Sequence, residues 1–241
     1  MARGMQDSSA ESKAFHYRPG THQKGEDTAR RILEAAIEVF AEEGYDGAST
    51  RALADRAKVN LPAIQYYFGS KEGLYRAAIG EIVGIVETHL APAAAIVERA
   101  LEGRRDPQKL FAALYELIDA FTALVTSRNA ASSRSTFITR AEIEGKPALD
   151  LLHESVTRLG VQPCAQLIAK LLQRDPQDEE ILVRTLAILG QVFVFHSKCN
   201  NKSARQTMSW DQLDERKLRV IQTIVREHTS AILRAAMDEA S

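Results

Sequence analysis

Two cysteines, one tryptophan and seven prolines in 241 residues rule out several kinds of protein at once. Cys164 and Cys199 stand far apart and form no C-x-x-C pair, so neither a disulfide framework nor a cysteine zinc site is expected. Both are read as reduced thiols, and the expected compartment is the cytosol. The first thirty residues are polar and lack the apolar stretch of a signal peptide, and no unbroken apolar run approaches the roughly 20 residues that span a bilayer. Asn201-Lys202-Ser203 fits a glycosylation sequon, which without secretion is read as chance. Neither sign of charge dominates: 31 Lys/Arg face 32 Asp/Glu, for a net charge of -1. Residues 1–75 alone hold 10 Lys/Arg against 11 Asp/Glu. Composition therefore does not announce a nucleic-acid binder, and any DNA-binding charge must be gathered on one face.

The motifs of catalysis are missing as well. There is no G-x-S-x-G, no phosphate-cradling G-x-x-x-x-G-K-[ST] and no glycine-rich dinucleotide turn after a strand. His153-Glu154 opens an H-E-x-x sequence, but Thr157 stands where the second zinc-binding His belongs. No enzyme activity, cofactor or metal is expected.

What the chain does have is helical periodicity from residue 26 onward. Residues 1–25 lack it and read as a flexible arm; Arg3, Lys13, Arg18 and Lys24 are available there for phosphates, diluted by Asp7 and Glu11. The first helix should begin near Asp27 or Thr28 and end at Gly44, with Ile32, Ala36, Val39 and Phe40 on one apolar face. Ser49 or Thr50 then starts a short helix to Ala57, with Leu53, Ala54 and Ala57 inward. Asn60 caps the next one, and Pro62 is tolerated because first-turn amides have no intrahelical partner. Ile64 and Phe68 point back to the core, Gly69 stops the helix, and Ser70 caps a longer one from Lys71 toward Leu90, before Pro92. Two short helices joined by a tight turn, the second presenting Gln65, Tyr66 and Tyr67 outward, have the layout of a helix-turn-helix.

Beyond Glu98 the pattern stays helical. Leu110, Leu114, Leu117, Phe121 and Leu124 define a helix over about 107–127. A polar stretch from Ser127 to Ser135 leads into another over about 133–144. Leu149, Leu152, Val156 and Leu159 begin a further helix that Pro163 should kink or interrupt. The segment LAILGQVFVF (186–195) is apolar nearly all round and must be covered on both sides. The last helix, from about Asp211 to Met237, carries Leu218, Ile221, Val225, His228 and Ile232 at 3-4 spacing. The expected fold class is all-α, with about nine helices. A flexible arm (1–25) and a three-helix helix-turn-helix domain (26–75) precede a larger helical domain (76–241) that should carry dimerisation. Leu186, Leu189, Val192, Leu218, Ile221, Val225, His228 and Ile232 are the expected dimer contacts, pairing across a two-fold axis in a four-helix interface.

Residues 28–75 resemble the DNA-binding domain of TetR-type transcriptional regulators. The matching positions are Ile32, Ala35-Ala36, Phe40, Gly44-Tyr45, Ser49-Thr50-Arg51, Leu53-Ala54, Ala57, Val59, Ile64, Tyr66, Phe68, Lys71-Glu72 and Leu74. Two positions depart from the family pattern: Lys58 replaces the usual glycine between the two short helices, and Gln65 replaces a frequent tyrosine. More narrowly, Arg140-Ala141-Glu142, Pro147-Ala148-Leu149-Asp150 and Ile188-Leu189-Gly190-Gln191 look like a CerR-type (YbiH-like) C-terminal domain. The resemblance implies a homodimer that binds a palindromic operator in double-stranded DNA. It also implies release by a small-molecule effector held among the middle helices, with repression favoured over activation.

The side chains suited to DNA are specific. Ser49, Thr50, Tyr66, Tyr67 and Lys71 suit phosphates; Arg51 suits a phosphate or a guanine edge; Gln65 suits adenine; Leu61, Pro62 and Ala63 suit thymine methyls. For Tyr66 and Tyr67 the other reading is packing against a neighbouring helix, and for Gln65 and Lys71 simple solvation. Effector-lining candidates are Phe111, Tyr115, Phe121, Phe137, His153, Phe193 and His196, against the other reading that these are core residues. A helical protein-binding adaptor that does not touch DNA is the rival class.

Overall fold

The computed structural model describes residues 23–126, 133–145, 147–200 and 214–239. Most of the expected N-terminal arm, part of the polar stretch after residue 126 and the segment 201–213 lie outside them. So do the side chains of His196 and Cys199.

Among the described residues every regular element is helical. α1 (Gln23–Gly47), α2 (Thr50–Ala57) and α3 (Leu61–Phe68) form the N-terminal unit. The long α4 (Lys71–Glu102) leads out of it to α5 (Pro107–Thr126) and α6 (Ser133–Glu144). A 3-10 turn at Pro147–Leu149 opens α7 (Asp150–Val156), which runs through a π-helical turn (Thr157–Val161) into α8 (Gln162–Leu172). α9 (Glu179–Asn200) and α10 (Glu215–Glu239) close the chain. With the α7–α8 run taken as one body, the described residues hold nine helices, the number the periodicity suggests.

Caps and breakers set most boundaries. Ser49, Asn60 and Ser70 accept from the amides of Ala52, Ala63 and Gly73 at 3.0, 3.1 and 3.0 Å, and Asp106 does the same for α5. Gly44 breaks the helical run of α1 at φ 76° and ψ 175°, a conformation close to glycine-only, so Tyr45–Gly47 form a separate turn as expected. α1 itself begins at Gln23, four residues before the expected cap.

One expectation yields to packing. α4 does not stop before Pro92 but continues to Glu102, because Leu90, Ala93, Ala94 and Val97 are buried on one face to either side of the proline. Pro92 and Thr88 are both exposed, so the carbonyl of Thr88 that loses its donor is accessible to water. At Pro163 the expected interruption takes the form of a π turn: the α-helical pattern gives way over Thr157–Val161, directly before α8. By length and composition α4 passes as a membrane-crossing helix, although it contains no unbroken apolar run. Its apolar face is laid against α5, α1 and α7 instead.

The N-terminal unit shares one core with the rest. Phe40, Leu53, Ile64, Phe68 and Leu74 are almost fully buried, each contributing roughly 1.5–3 kcal/mol of transfer free energy. α5 lies at the centre of the C-terminal region, against α4, α8, α9 and α10. The boundary expected near residue 75 falls inside the continuous α4.

Candidate nucleic-acid interface

α2 and α3 are eight residues each, too short to be stable alone. Their angle is fixed by the turn between them. Lys58 adopts φ 54° and ψ 46°. Its amide donates to the Asp55 carbonyl at 3.2 Å, and that of Val59 to Ala54 at 3.0 Å. This is the Schellman closure, whose left-handed position normally favours glycine. The departure from the family pattern at Lys58 therefore carries left-handed strain on the order of 1 kcal/mol.

On α3, Ile64 and Phe68 are buried, which turns the opposite face outward. Leu61, Pro62, Gln65 and Tyr66 are exposed, Tyr66 at 73%; the reading of Tyr66 as a packed residue falls. Tyr67 is half-buried, edge-on to Tyr66 at 5.0 Å and tilted against Phe68 at 6.4 Å. Ala63 is half-buried in the first turn. On α2, Arg51 is exposed and Thr50 half-buried. The Ser49 hydroxyl oxygen is engaged as the cap of α2, which leaves its proton free to donate. Lys71 holds its ammonium 4.6 Å from the centre of the Tyr45 ring, a cation–π contact.

Charge on this unit is sorted by internal pairing. Arg56 bonds Glu38 at 3.1 Å and Glu42 at 2.7 Å. These bonds hold the Glu42 carboxyl below its usual range and push Arg56 further up. Arg30 pairs with Asp27 and Arg76 with Glu72. Among the described residues no carboxylate pairs with Arg51, Lys58 or Lys71, and these cations flank α3. A unit with no net excess of positive charge can thus still offer a positive face. Composition could not reveal this, because the neutralising partners of Arg56 lie 14 and 18 positions away.

Residues 32–78 match the bacterial regulatory proteins of the tetR family. Residues 110–236 match the C-terminal domain of the HTH-type transcriptional dual regulator CecR. The CecR regulator of Shigella flexneri is 31% identical over 214 residues, covering 87% of this chain and 93% of that one. This chain belongs to the TetR family of transcriptional regulators. Its C-terminal domain is of the CecR type, the group anticipated from Arg140-Ala141-Glu142 and the two segments after it. The HTH-type transcriptional repressor NicS of Pseudomonas putida shares 40% identity over 60 residues, 25% of this chain and 28% of that one. A TetR-like regulator from Rhodococcus sp. RHA1 has the same fold, with a TM-score of 0.56 at 18% identity over 86% of this chain and 96% of that one. These relatives are regulators of transcription, not enzymes.

The other two groups of expected site residues fare less well in this TetR-family regulator. The effector candidates do not converge. Phe137 packs on Phe40 and Tyr75, against the DNA-binding unit. Phe111 and Tyr115 lie under Arg234 and Arg226 of α10. Phe121 meets Phe193 edge-on at 5.5 Å, and His153 is exposed on α7. Helical spacing had identified faces without identifying what each face meets. Of the expected dimer contacts, Leu189, Val192, Ile221 and Val225 are buried inside the protomer, because α5 and α8 cover that side of α9 and α10. Leu186, His228 and Ile232 are exposed and Leu218 half-buried, with His228 lying 3.2 Å from Gln191. The outward apolar stripe runs instead through Leu182, Val183, Leu186, Phe193 and Val194 of α9 and Val220, Ile224 and Ile232 of α10.

Proposed function

We propose that the regulator acts in the cytosol as a homodimeric repressor that binds a palindromic operator and is released by a small-molecule effector. The observation that carries the DNA-binding mode is α3: capped at its N-terminus, buried through Ile64 and Phe68, and turning Leu61, Pro62, Gln65 and Tyr66 to solvent. In this reading Ser49, Thr50, Tyr66, Tyr67 and Lys71 hold phosphates. Arg51 and Gln65 read base edges, and Leu61, Pro62 and Ala63 meet thymine methyls. The apolar stripe on α9 and α10 supports pairing of two copies. Exposed Gly190 lies on that stretch with open space where a side chain would be, so two backbones can approach closely there.

Two recognition helices must enter successive major grooves about 34–36 Å apart. An effector that changes their separation by a few ångströms therefore loses one half-site. Because the Shigella flexneri relative is a dual regulator, transcription is best assayed in both directions.

Selection of bound duplexes from a random pool, with and without a metabolite extract, tests this function. The expected product is a palindrome that the extract releases; recovery of no palindromic site refutes the dimeric reader. Gln65→Ala should relax preference at one base pair of each half-site, whereas Tyr66→Ala weakens binding to all sequences. Identical sequence preferences for wild type and Gln65→Ala refute base reading by Gln65.

A further inference from the structure

α6 lies within the C-terminal region in sequence, yet it packs on the N-terminal unit. Phe137 stacks on Phe40 at 5.8 Å and meets Tyr75 edge-on at 5.1 Å. One turn further, Arg140 donates to the Glu42 carbonyl at 3.0 Å. At the end of the helix, both carboxylate oxygens of Glu144 stand 3.2 Å from the amide of Tyr45.

Both contacts fall where α1 breaks. Where α1 breaks at Gly44, the Glu42 carbonyl is among the last in the helix and the Tyr45 amide is the first beyond the break. Arg140 donates to that carbonyl, and Glu144, four residues on, accepts from that amide. Gly44 is needed twice over: a Cβ there would be strained at φ 76° and would run into the Glu144 carboxylate. From Tyr45 the path continues to the interface. Its ring stands edge-on to Tyr75 at 5.0 Å and carries the ammonium of Lys71 4.6 Å from its centre.

We propose that Arg140 and Glu144 of α6 are positioning residues for DNA binding. They fix the backbone from Glu42 to Tyr45, and so set the Tyr45 ring that holds Lys71 toward phosphate at the start of α4. The DNA-reading unit then consists of α1 to α3, the start of α4, and α6 from the middle of the chain. This assignment rests on the DNA-binding mode proposed above.

Two measurements on the full chain test it. The first is hydrogen exchange at the Tyr45 amide without DNA. Glu144→Ala should expose that amide, and Glu144→Gln, which keeps an acceptor oxygen, should restore much of its protection. The second is the salt dependence of binding to the selected operator. Lys71→Ala should lower the slope of log K against log salt by about 0.9 for each phosphate it no longer neutralises. Glu144→Ala should lower it in the same direction, Glu144→Gln should recover it, and Glu144→Ala with Lys71→Ala should go no lower than Lys71→Ala alone. Unchanged Tyr45 exchange in Glu144→Ala overturns the proposal whatever the DNA result. So does faster exchange with a wild-type slope, which makes the contact structural only. Wild-type protein that binds no duplex in a salt-dependent way overturns the DNA-binding reading and this role with it, while the exchange data still show whether the latch exists.

Discussion

Replacing Lys58 by glycine should stabilise the protein while weakening its hold on DNA. Lys58 sits at φ 54° and ψ 46°, which costs an L-residue roughly 1–2 kcal/mol. Glycine removes that strain but loses about 0.5–1 kcal/mol more backbone entropy on folding. The difference favours Lys58→Gly by about 0.5–1 kcal/mol. With a urea slope of about 2 kcal/mol/M, the unfolding midpoint rises by roughly 0.3–0.5 M. Gln173, at φ 56° after α8, is the control: the same substitution there should stabilise similarly and leave DNA binding alone. Both are read by urea titration at equal protomer concentration, because the stability of any self-associating protein depends on it. Lys58 is exposed beside the N-terminus of α3, so replacing it should reduce the salt slope of operator binding, whereas Gln173→Gly should not. A lower midpoint for Lys58→Gly at unchanged urea slope would refute the argument from left-handed strain. An unchanged salt slope would show that Lys58, although it flanks α3, neutralises no phosphate.

Gly160→Ala should destabilise by about 1–3 kcal/mol, because the added methyl runs into the Phe121 ring; calorimetry should show much of the loss recovered when Phe121→Leu is added. Leu186→Asp, at a position 61% exposed, should give a folded monomer by sedimentation with operator binding abolished, whereas Val192→Asp, buried on the same helix, should unfold the chain. Burial pushes the Cys164 thiol up to about 12. In a Cys199→Ser variant a thiol reagent at pH 8 should therefore leave Cys164 unlabelled until denaturant is added, and rapid native-state labelling would refute its burial.

Local chemistry made the boundaries of α2, α3 and α4 readable from sequence. Ser49, Asn60 and Ser70 were recognisable as caps, and Gly44 and Gly69 as stops, because each acts on amides within four residues of itself. Identifying what each face meets required information that sequence does not hold. Leu186 and Leu189 are three apart on a helix that is apolar nearly all round; only the placement of α5 and α8 turns Leu189 inward and leaves Leu186 outside. Phe137 has the spacing of a pocket residue, but its partners, Phe40 and Tyr75, are on α1 and α4. Glu144 and Tyr45 are 99 positions apart, and neither residue type announces the other.

Pro92 misled for a related reason. The local rule ends a helix before proline, but burial of four residues around and beyond it outweighs one missing hydrogen bond. The outcome matters for regulation. An unbroken α4 of 32 residues is about 48 Å long, with Lys71 at the DNA end and Val97 deep in the C-terminal core. A rigid rod of that length, turned about its middle by 5°, moves each end by about 2 Å. Small displacements among the middle helices can therefore reach the start of α4, just beyond the Gly69 turn that ends α3, without passing through any flexible joint. At the DNA end, α4 meets the Phe40, Tyr45, Tyr75 and Phe137 cluster, so the rod cannot turn there without also shifting the seat of α6. α4 and α6 then have to move as a pair, and an effector that moved only one of them would work against the packing of the other.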